Sequence, residues 1–466
     1  MSDEPLVVAI IGAGPSGIYA AEALSQQTDV DVEIAVIDRL PVPFGLVRYG
    51  VAPDHFSIRS IRNTLERTLE KSSVRFYGDV TIGADLSIEE LRESVDAVIY
   101  AYGAGTDKRL GIPGEQLGGS IAAAELVMWY CGNPDVHPDT DQPAGDRLLA
   151  ADVDKLITRA QHAVVVGVGN VALDVARILI KSVDQLTDTD MADEVLECFA
   201  RNSVTDVHVL GRRGPAYTAF TTKELRELGQ IADVDVIVDP ADLELDPSSQ
   251  AVVDQNKVAA RNLVVLQEWA ARPLSGASKR ITFHFWSRPT MIIGNDQVTA
   301  VEVERTMIDS NGYVVGRGGG FTLPADLVVR SVGYRGLPLT GIPFDESTGR
   351  VPHSEGRVIR DGEFSPDEYV TGWIKRGPTG VIGTNKSDAV ETVTSLLADV
   401  RDGAVKAHGR SGDLDRLLAQ RGIHPLGMPA WHRIDAAEMK LGASHGRLRT
   451  TLAHRRELLA AAEGDA

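Results

Sequence analysis

The sequence predicts an α/β chain organised around two strand–turn–helix–strand units of the nucleotide-binding type. Three observations predict it. Val7-Val8-Ala9-Ile10-Ile11 is an unbroken apolar, mostly β-branched run, the mark of a strand buried on both faces of a parallel sheet. Helical patterning over 18–23 and a second strand over 32–37, ending at Asp38, complete one unit. Ala163-Val164-Val165-Val166, a helix over 173–180 and a strand over 207–210 repeat the pattern farther along.

Taken in order, the remaining elements surround these units. Strands are predicted at 97–100, 327–329 and 368–371. The stretch 133–145, rich in Pro, Asp and Thr, reads as a surface loop, and 191–200 as a helix added after the second unit. Segments 282–288, 298–307 and 321–323 read as antiparallel strands, and 403–466 as a tail of loops and helices whose role the residues do not disclose.

Composition narrows the function. At 466 residues, two to three domains are expected, and 43% apolar residues suffice for real cores. The formal charge of −19 disfavours nucleic acid as a partner, because phosphates are repelled. The two cysteines, Cys131 and Cys198, have no metal-ligand, C-x-x-C or disulfide-framework spacing, so neither a metal site nor an in-chain dithiol is expected. The acidic start Met1-Ser2-Asp3-Glu4 and the lack of a long apolar run lead to the expectation of a soluble, cytoplasmic protein with no membrane span. A monomer suffices.

The chemistry lies in the two turns. Gly12-Ala13-Gly14-Pro15-Ser16-Gly17 is G-x-G-x-x-G directly after a strand. Its glycines permit the tight turn, and the helix start behind it offers N–H groups to a pyrophosphate. Asp38 stands where a carboxylate accepts from ribose hydroxyls. Gly167-Val168-Gly169-Asn170-Val171-Ala172 is the G-x-G-x-x-A form, and its second strand ends in Gly211-Arg212-Arg213 instead of an acid. Paired guanidiniums would bind a 2′-phosphate that a carboxylate repels. One acidic and one doubly basic site in one chain are most simply FAD at the first and NADPH at the second.

Longer strings then become recognisable. The segments 40–55 (LPVPFGLVRYGVAPDH), 169–177 (GNVALDVAR), 211–215 (GRRGP), 222–227 (TKELRE) and 372–386 (GWIKRGPTGVIGTNK) resemble those of the adrenodoxin-reductase-like NADPH:ferredoxin reductases, most closely the bacterial ones. Trp431, Ile434, Glu438, Gly442 and Gly446 extend the resemblance into the tail.

The resemblance implies a glutathione-reductase-like arrangement of two interleaved Rossmann-like domains: FAD-binding 1–105, NADP-binding 106–325, and a second FAD-binding part 326–466. It implies a ferredoxin–NADP+ reductase, in which FAD takes a hydride from NADPH and passes single electrons to an iron–sulfur ferredoxin. Another NADPH-dependent flavoenzyme (monooxygenase, oxidase or diaphorase) is the alternative. FAD contacts are implied at Gly12, Ala13, Gly14, Gly17, Asp38, Leu46, Val80, Trp373, Gly380, Val381 and Ile382. NADP contacts are implied at Val168, Gly169, Asn170, Val171, Arg212, Arg213, Glu224 and Gly380. His55, bonded to Asp174 directly or through water, would position groups and supply a proton, with Glu224 near the carboxamide or ribose of the nicotinamide. Two positions depart from the pattern: Asp38 replaces Glu, and Val168 replaces a polar residue. An acidic ferredoxin requires a local basic patch, for which Arg226, Lys257 and Arg261 are candidates.

Overall fold

The computed structural model describes residues 4–139 and 149–464. The described chain forms two compact units, one made of the residues up to Thr106 and from Tyr334 on, the other of Asp107–Gly333.

The first unit holds a seven-stranded sheet in the order His353–Ser354, Arg357–Arg360, Glu363–Val370, Ala97–Tyr100, Leu6–Ile11, Val32–Ile37, Val74–Tyr77. Every residue of Leu6–Ile11 is buried, as its apolar run requires. It pairs in parallel with Val32–Ile37 and with Ala97–Tyr100, so its C-terminal end opens at the first glycine turn. Helix Pro15–Ser25 packs beside helix Thr384–Arg401. The first begins earlier than the patterning over 18–23 suggested, since Pro15 is tolerated in a first helical turn behind Gly14.

The second unit has a six-stranded, all-parallel sheet in the order Ser120–Ala122, Leu327–Arg330, His162–Val166, Asp206–Leu210, Lys279–His284, Val234–Val238. Beside it lies an antiparallel sheet of Ser287–Gly294, Val298–Ile308 and Val314–Pro324. Together these give the α/β class with two nucleotide-type sheets.

Three expectations are corrected. The segment 282–288 is not one antiparallel strand: through His284 it runs parallel to Asp206–Leu210, and the chain turns at Trp286 (φ 51°) before entering the antiparallel sheet. The strand at 321–323 is the end of an eleven-residue strand whose Gly316, Gly318, Gly319 and Gly320 carry no side-chain pattern. The segment 133–139 is not a surface loop: Asn133, Val136 and His137 are buried, and His137 Nε2 lies 2.8 Å from the Trp129 carbonyl. Residues 140–145 of that expected loop, like the acidic 1–3, lie outside the described residues.

The tail, described over 403–464, is integral to the first unit. Glu438, on helix Met428–Ser444, is fully buried and accepts from Arg48 (Nη1, 3.1 Å), Arg449 (Nη1, 2.5 Å) and Leu452 N–H (3.0 Å). Burial pushes its carboxyl up, but the two guanidiniums hold it below the usual range. Trp431 packs edge-on against Phe44 (5.3 Å) and donates to Glu66 (2.8 Å). The tail thereby braces segment 44–49, which follows the first glycine turn.

Candidate functional site

In the first unit, Gly12 takes φ 111°, and a Cβ there would stand 2.6 Å from the Ala101 carbonyl oxygen at the end of the neighbouring strand. Gly45 closes the turn from outside: an added Cβ would lie 3.0 Å from Gly14 Cα. Gly17 lies over the Gly12 carbonyl, 2.0 Å from any added Cβ. Asp38 leaves the end of its strand and returns to the turn. Its Oδ2 accepts the Ala13 N–H (2.8 Å) and its Oδ1 the Leu40 N–H (3.0 Å). A carboxylate offers about four acceptor positions, so its capacity is only partly used. Val80, fully buried, donates its N–H to the Asp38 carbonyl (3.0 Å), and Leu46 opens the short helix Leu46–Tyr49.

A second helix start stands beside this turn. Ser16 Oγ donates to Asn385 Oδ1 (3.0 Å), joining the first turns of helices Pro15–Ser25 and Thr384–Arg401. Gly372 takes φ 78°, and its N–H donates to Asp388 Oδ2 (2.6 Å), whose Oδ1 pairs with the buried Lys375 (2.8 Å). Trp373 is half-buried and packs against Tyr334 at 5.3 Å, so it is not a core tryptophan. Gly380, Val381 and Ile382 lead into the second helix, and the Val381 side chain is 64% exposed. His55 is buried and begins the short helix Phe56–Arg59.

The second unit repeats the turn with different closures. Gly167 takes φ 139°, and a Cβ there would stand 2.1 Å from the Ser331 carbonyl. In front of Gly169 a Cβ would meet nothing within 4 Å. Val168 accepts the Ala219 N–H through its carbonyl (2.9 Å), and Asn170 Oδ1 accepts the Thr221 N–H (2.9 Å). These bonds tie the turn to helix Thr222–Leu228, while Asn170 and Val171 open the helix behind the turn. Glu224 is buried, not a solvated helix-start acid, and its carboxylate accepts the Thr221 hydroxyl. Asp174 pairs with buried Arg177 (2.8 Å). Arg212 is exposed, and Arg213 lies over the Tyr217 ring at 5.5 Å. Arg226, Lys257 and Arg261 are exposed on helices Thr222–Leu228 and Lys257–Ala270, which Thr222 and Asn262 join by a 2.6 Å bond.

Each unit thus brings its sequence-predicted turn and strand-end residues together. Sequence reasoning missed Asn385, Asp388 and Gly45, which complete the first turn, and Tyr217 beneath Arg213. The first two are hundreds of residues from Gly12, where spacing carries no signal. Tyr217 stands two residues beyond the string Gly211-Arg212-Arg213-Gly214-Pro215, and an aromatic near a cation was the available cue.

Both turns fit a dinucleotide: N–H groups at a helix start, glycines where side chains would collide with the chain, and open space in front of Gly169. The pyridine nucleotide-disulphide oxidoreductase family profile matches residues 6–209. The chain is 43% identical over 471 residues to the NADPH-ferredoxin reductase FprA of Mycobacterium tuberculosis, covering 98% of each. It is 36% identical to the mitochondrial NADPH:adrenodoxin oxidoreductase of Arabidopsis thaliana, covering 99% of this chain and 96% of that one. Its structure is similar to that of M. tuberculosis FprA in complex with NADPH, with a TM-score of 0.90 at 41% identity, over 99% of this chain and all of the other.

Proposed function

The chain belongs to the adrenodoxin-reductase-like family of NADPH:ferredoxin reductases, and from that premise we propose that it reduces an iron–sulfur ferredoxin at the expense of NADPH, with FAD as its resident cofactor. The observation that supports this most directly is the pair of like turns with unlike strand ends, Asp38 in one unit and Arg212-Arg213 in the other. Bound FAD supplies hydride acceptance from NADPH C4 and release of the two electrons singly to the ferredoxin.

The chain's residues do the rest. The N–H groups of Gly14, Ser16 and Gly17, at the start of helix Pro15–Ser25, would hold the FAD pyrophosphate, and Asp38's remaining lone pairs would accept from the ribose. Leu46, Val80, Trp373 and the backbone of Gly380-Val381-Ile382 would help to hold the FAD. Val168 to Val171 carry the NADPH pyrophosphate, Arg212 and Arg213 its 2′-phosphate, and Glu224 the nicotinamide end. His55 and Asp174, both buried, are the groups we assign to positioning and to proton supply. No protein nucleophile is required. FAD binding is assigned to the unit of residues up to Thr106 and from Tyr334 on, and NADP binding to Asp107–Gly333; the expected boundary at 325/326 moves because strand Leu327–Arg330 pairs with His162–Val166 in the second unit's sheet. A monomer in a reducing, cytoplasmic setting fits the two buried thiols Cys131 and Cys198. No helix among the described residues is long and apolar enough to cross a membrane.

The test is an absorption spectrum of the purified protein, then anaerobic NADPH titration and addition of a [2Fe–2S] ferredoxin. A yellow protein bleached by NADPH that then reduces the ferredoxin supports the reading; a protein that stays colourless with added FAD, or yellow with NADPH, removes it. Arg226, Lys257 and Arg261 form the docking patch. Charge reversal at Arg226 and Arg261 together is expected to slow ferredoxin reduction at least fivefold at low ionic strength, with ferricyanide reduction within twofold. Equal loss with both acceptors removes the patch.

A further inference from the structure

The Gly211–Gly214 turn has its main chain fixed on every side. The carbonyls of Gly211, Arg212 and Arg213 accept from Ser287 N–H (2.9 Å), the Thr306 hydroxyl (2.9 Å) and Trp286 N–H (3.3 Å). A Cβ at Gly214 would lie 2.2 Å from the Trp286 ring, so the indole lies directly against the backbone. Thr306 and Trp286 are both buried. With the main chain held, what remains adjustable is where the two guanidiniums point.

There the two arginines part. Arg212 is exposed and makes no side-chain hydrogen bond, ion pair or ring contact among the described residues, whereas Arg213 is half-buried with its guanidinium 5.5 Å from the Tyr217 ring centroid. Tyr217 is itself placed by the short helix Pro215–Tyr217, whose proline fixes its first turn. A guanidinium facing a ring keeps its N–H donors in its own plane, aimed past the ring edge, the geometry a phosphate accepts in bidentate fashion. The buried Arg213 Nε has no hydrogen-bond acceptor among the described residues, so the chain does not consume this group in an internal ion pair. An arginine held this way gives up less rotamer freedom on binding than its solvated neighbour.

We propose that Tyr217 is a specificity-determining positioning residue: its ring mounts Arg213 to read the 2′-phosphate of a dinucleotide, and Arg213 contributes more of the discrimination than Arg212. The proposal rests on the assignment of NADPH to this turn.

The experiment measures KM and kcat for NADPH and NADH on the FAD-loaded enzyme, with ferricyanide as acceptor, for Tyr217→Ala, Tyr217→Phe, Arg212→Ala and Arg213→Ala. Tyr217→Ala is expected to raise the NADPH KM five- to tenfold with the NADH KM within twofold. Tyr217→Phe, which keeps the ring, is expected to stay within twofold for both. Arg213→Ala is expected to raise the NADPH KM more than Arg212→Ala does. Equal weakening of both nucleotides by Tyr217→Ala makes the tyrosine merely structural and overturns the proposal, as does no change in either. Arg212→Ala costing as much as Arg213→Ala overturns the asymmetry. Unmodified enzyme that does not prefer NADPH overturns the underlying assignment as well, which separates that failure from the others.

Discussion

At the end of strand Val32–Ile37 the selecting side chain is short and folds back onto its own turn, with both Asp38 oxygens accepting backbone N–H groups. At the end of strand Asp206–Leu210 the selecting side chains are long and reach outward, and one is supported by a neighbouring ring. The glycine scaffolds are nearly the same: an added Cβ at Gly12 meets a carbonyl at 2.6 Å, and one at Gly167 meets a carbonyl at 2.1 Å. The difference teaches that a turn rejecting a ribose 2′-phosphate can tie its selector to the main chain. A turn welcoming phosphate must hold a flexible cation at a distance, and it needs a second residue to do so.

The largest effects come from breaking each scaffold separately. At φ 139°, alanine for Gly167 is strained as well as obstructed by the Ser331 carbonyl. Gly167→Ala is expected to leave the protein yellow while raising the NADPH KM a hundredfold or more. Gly12→Ala is expected to give a colourless protein. Absorbance and anaerobic NADPH titration read both; a colourless Gly167→Ala with a yellow Gly12→Ala would exchange the two assignments.

Next in size is the loss of both cations. Charge-assisted bonds contribute about 1.5–3 kcal/mol each before compensation. Arg212→Ala combined with Arg213→Ala is therefore expected to raise the NADPH KM tenfold or more and to leave the NADH KM within twofold. If the two nucleotides weaken alike, the second turn does not read the 2′-phosphate and the contrast with Asp38 collapses.

How far these turns could be read from the sequence follows from the range of the interactions. Val7–Ile11 and Ala163–Val166 are legible because a strand covered on both faces must be apolar throughout. The glycines and strand-end charges sit at fixed local offsets from them. The strand Val234–Val238 escaped notice because Asp235 breaks its apolar run; that carboxylate accepts from Ser275, Gly276 and Ala277. The bend at Trp286 is invisible locally, because only the backing of Gly214 explains a bulky residue at positive φ. Ser16–Asn385 and Arg48–Glu438 join positions hundreds of residues apart, and there the only cue was the resemblance of the tail to a known family.

The smallest effect separates the units by acid sensitivity. In the second unit His208 Nδ1 lies 3.0 Å from His284 Nε2 on adjacent strands. Burial, then the neighbouring His208 and Arg305, push the His284 imidazole down to about 4 from 6.5, against a weaker opposite pull from Asp239. The neutral ring is therefore favoured in the fold. As pH falls below 6.5 the unfolded chain takes up the proton first, and stability is lost progressively down to about pH 4, by about 3 kcal/mol at most. Asp107, in the same unit, runs the other way: burial raises its carboxyl to about 6, so the fold takes up that proton first and gains stability as pH falls from 6. The two slopes offset one another in the unmodified protein, so the informative quantity is a difference between proteins. His284→Phe, whose ring can pack on Phe321 as the imidazole does at 5.4 Å, removes one slope and leaves the other. Thermal midpoints of this variant relative to the unmodified protein are expected to climb steadily from pH 6.5 to 4.5. A difference that stays constant across that range would mean that His284 binds its proton equally well folded and unfolded.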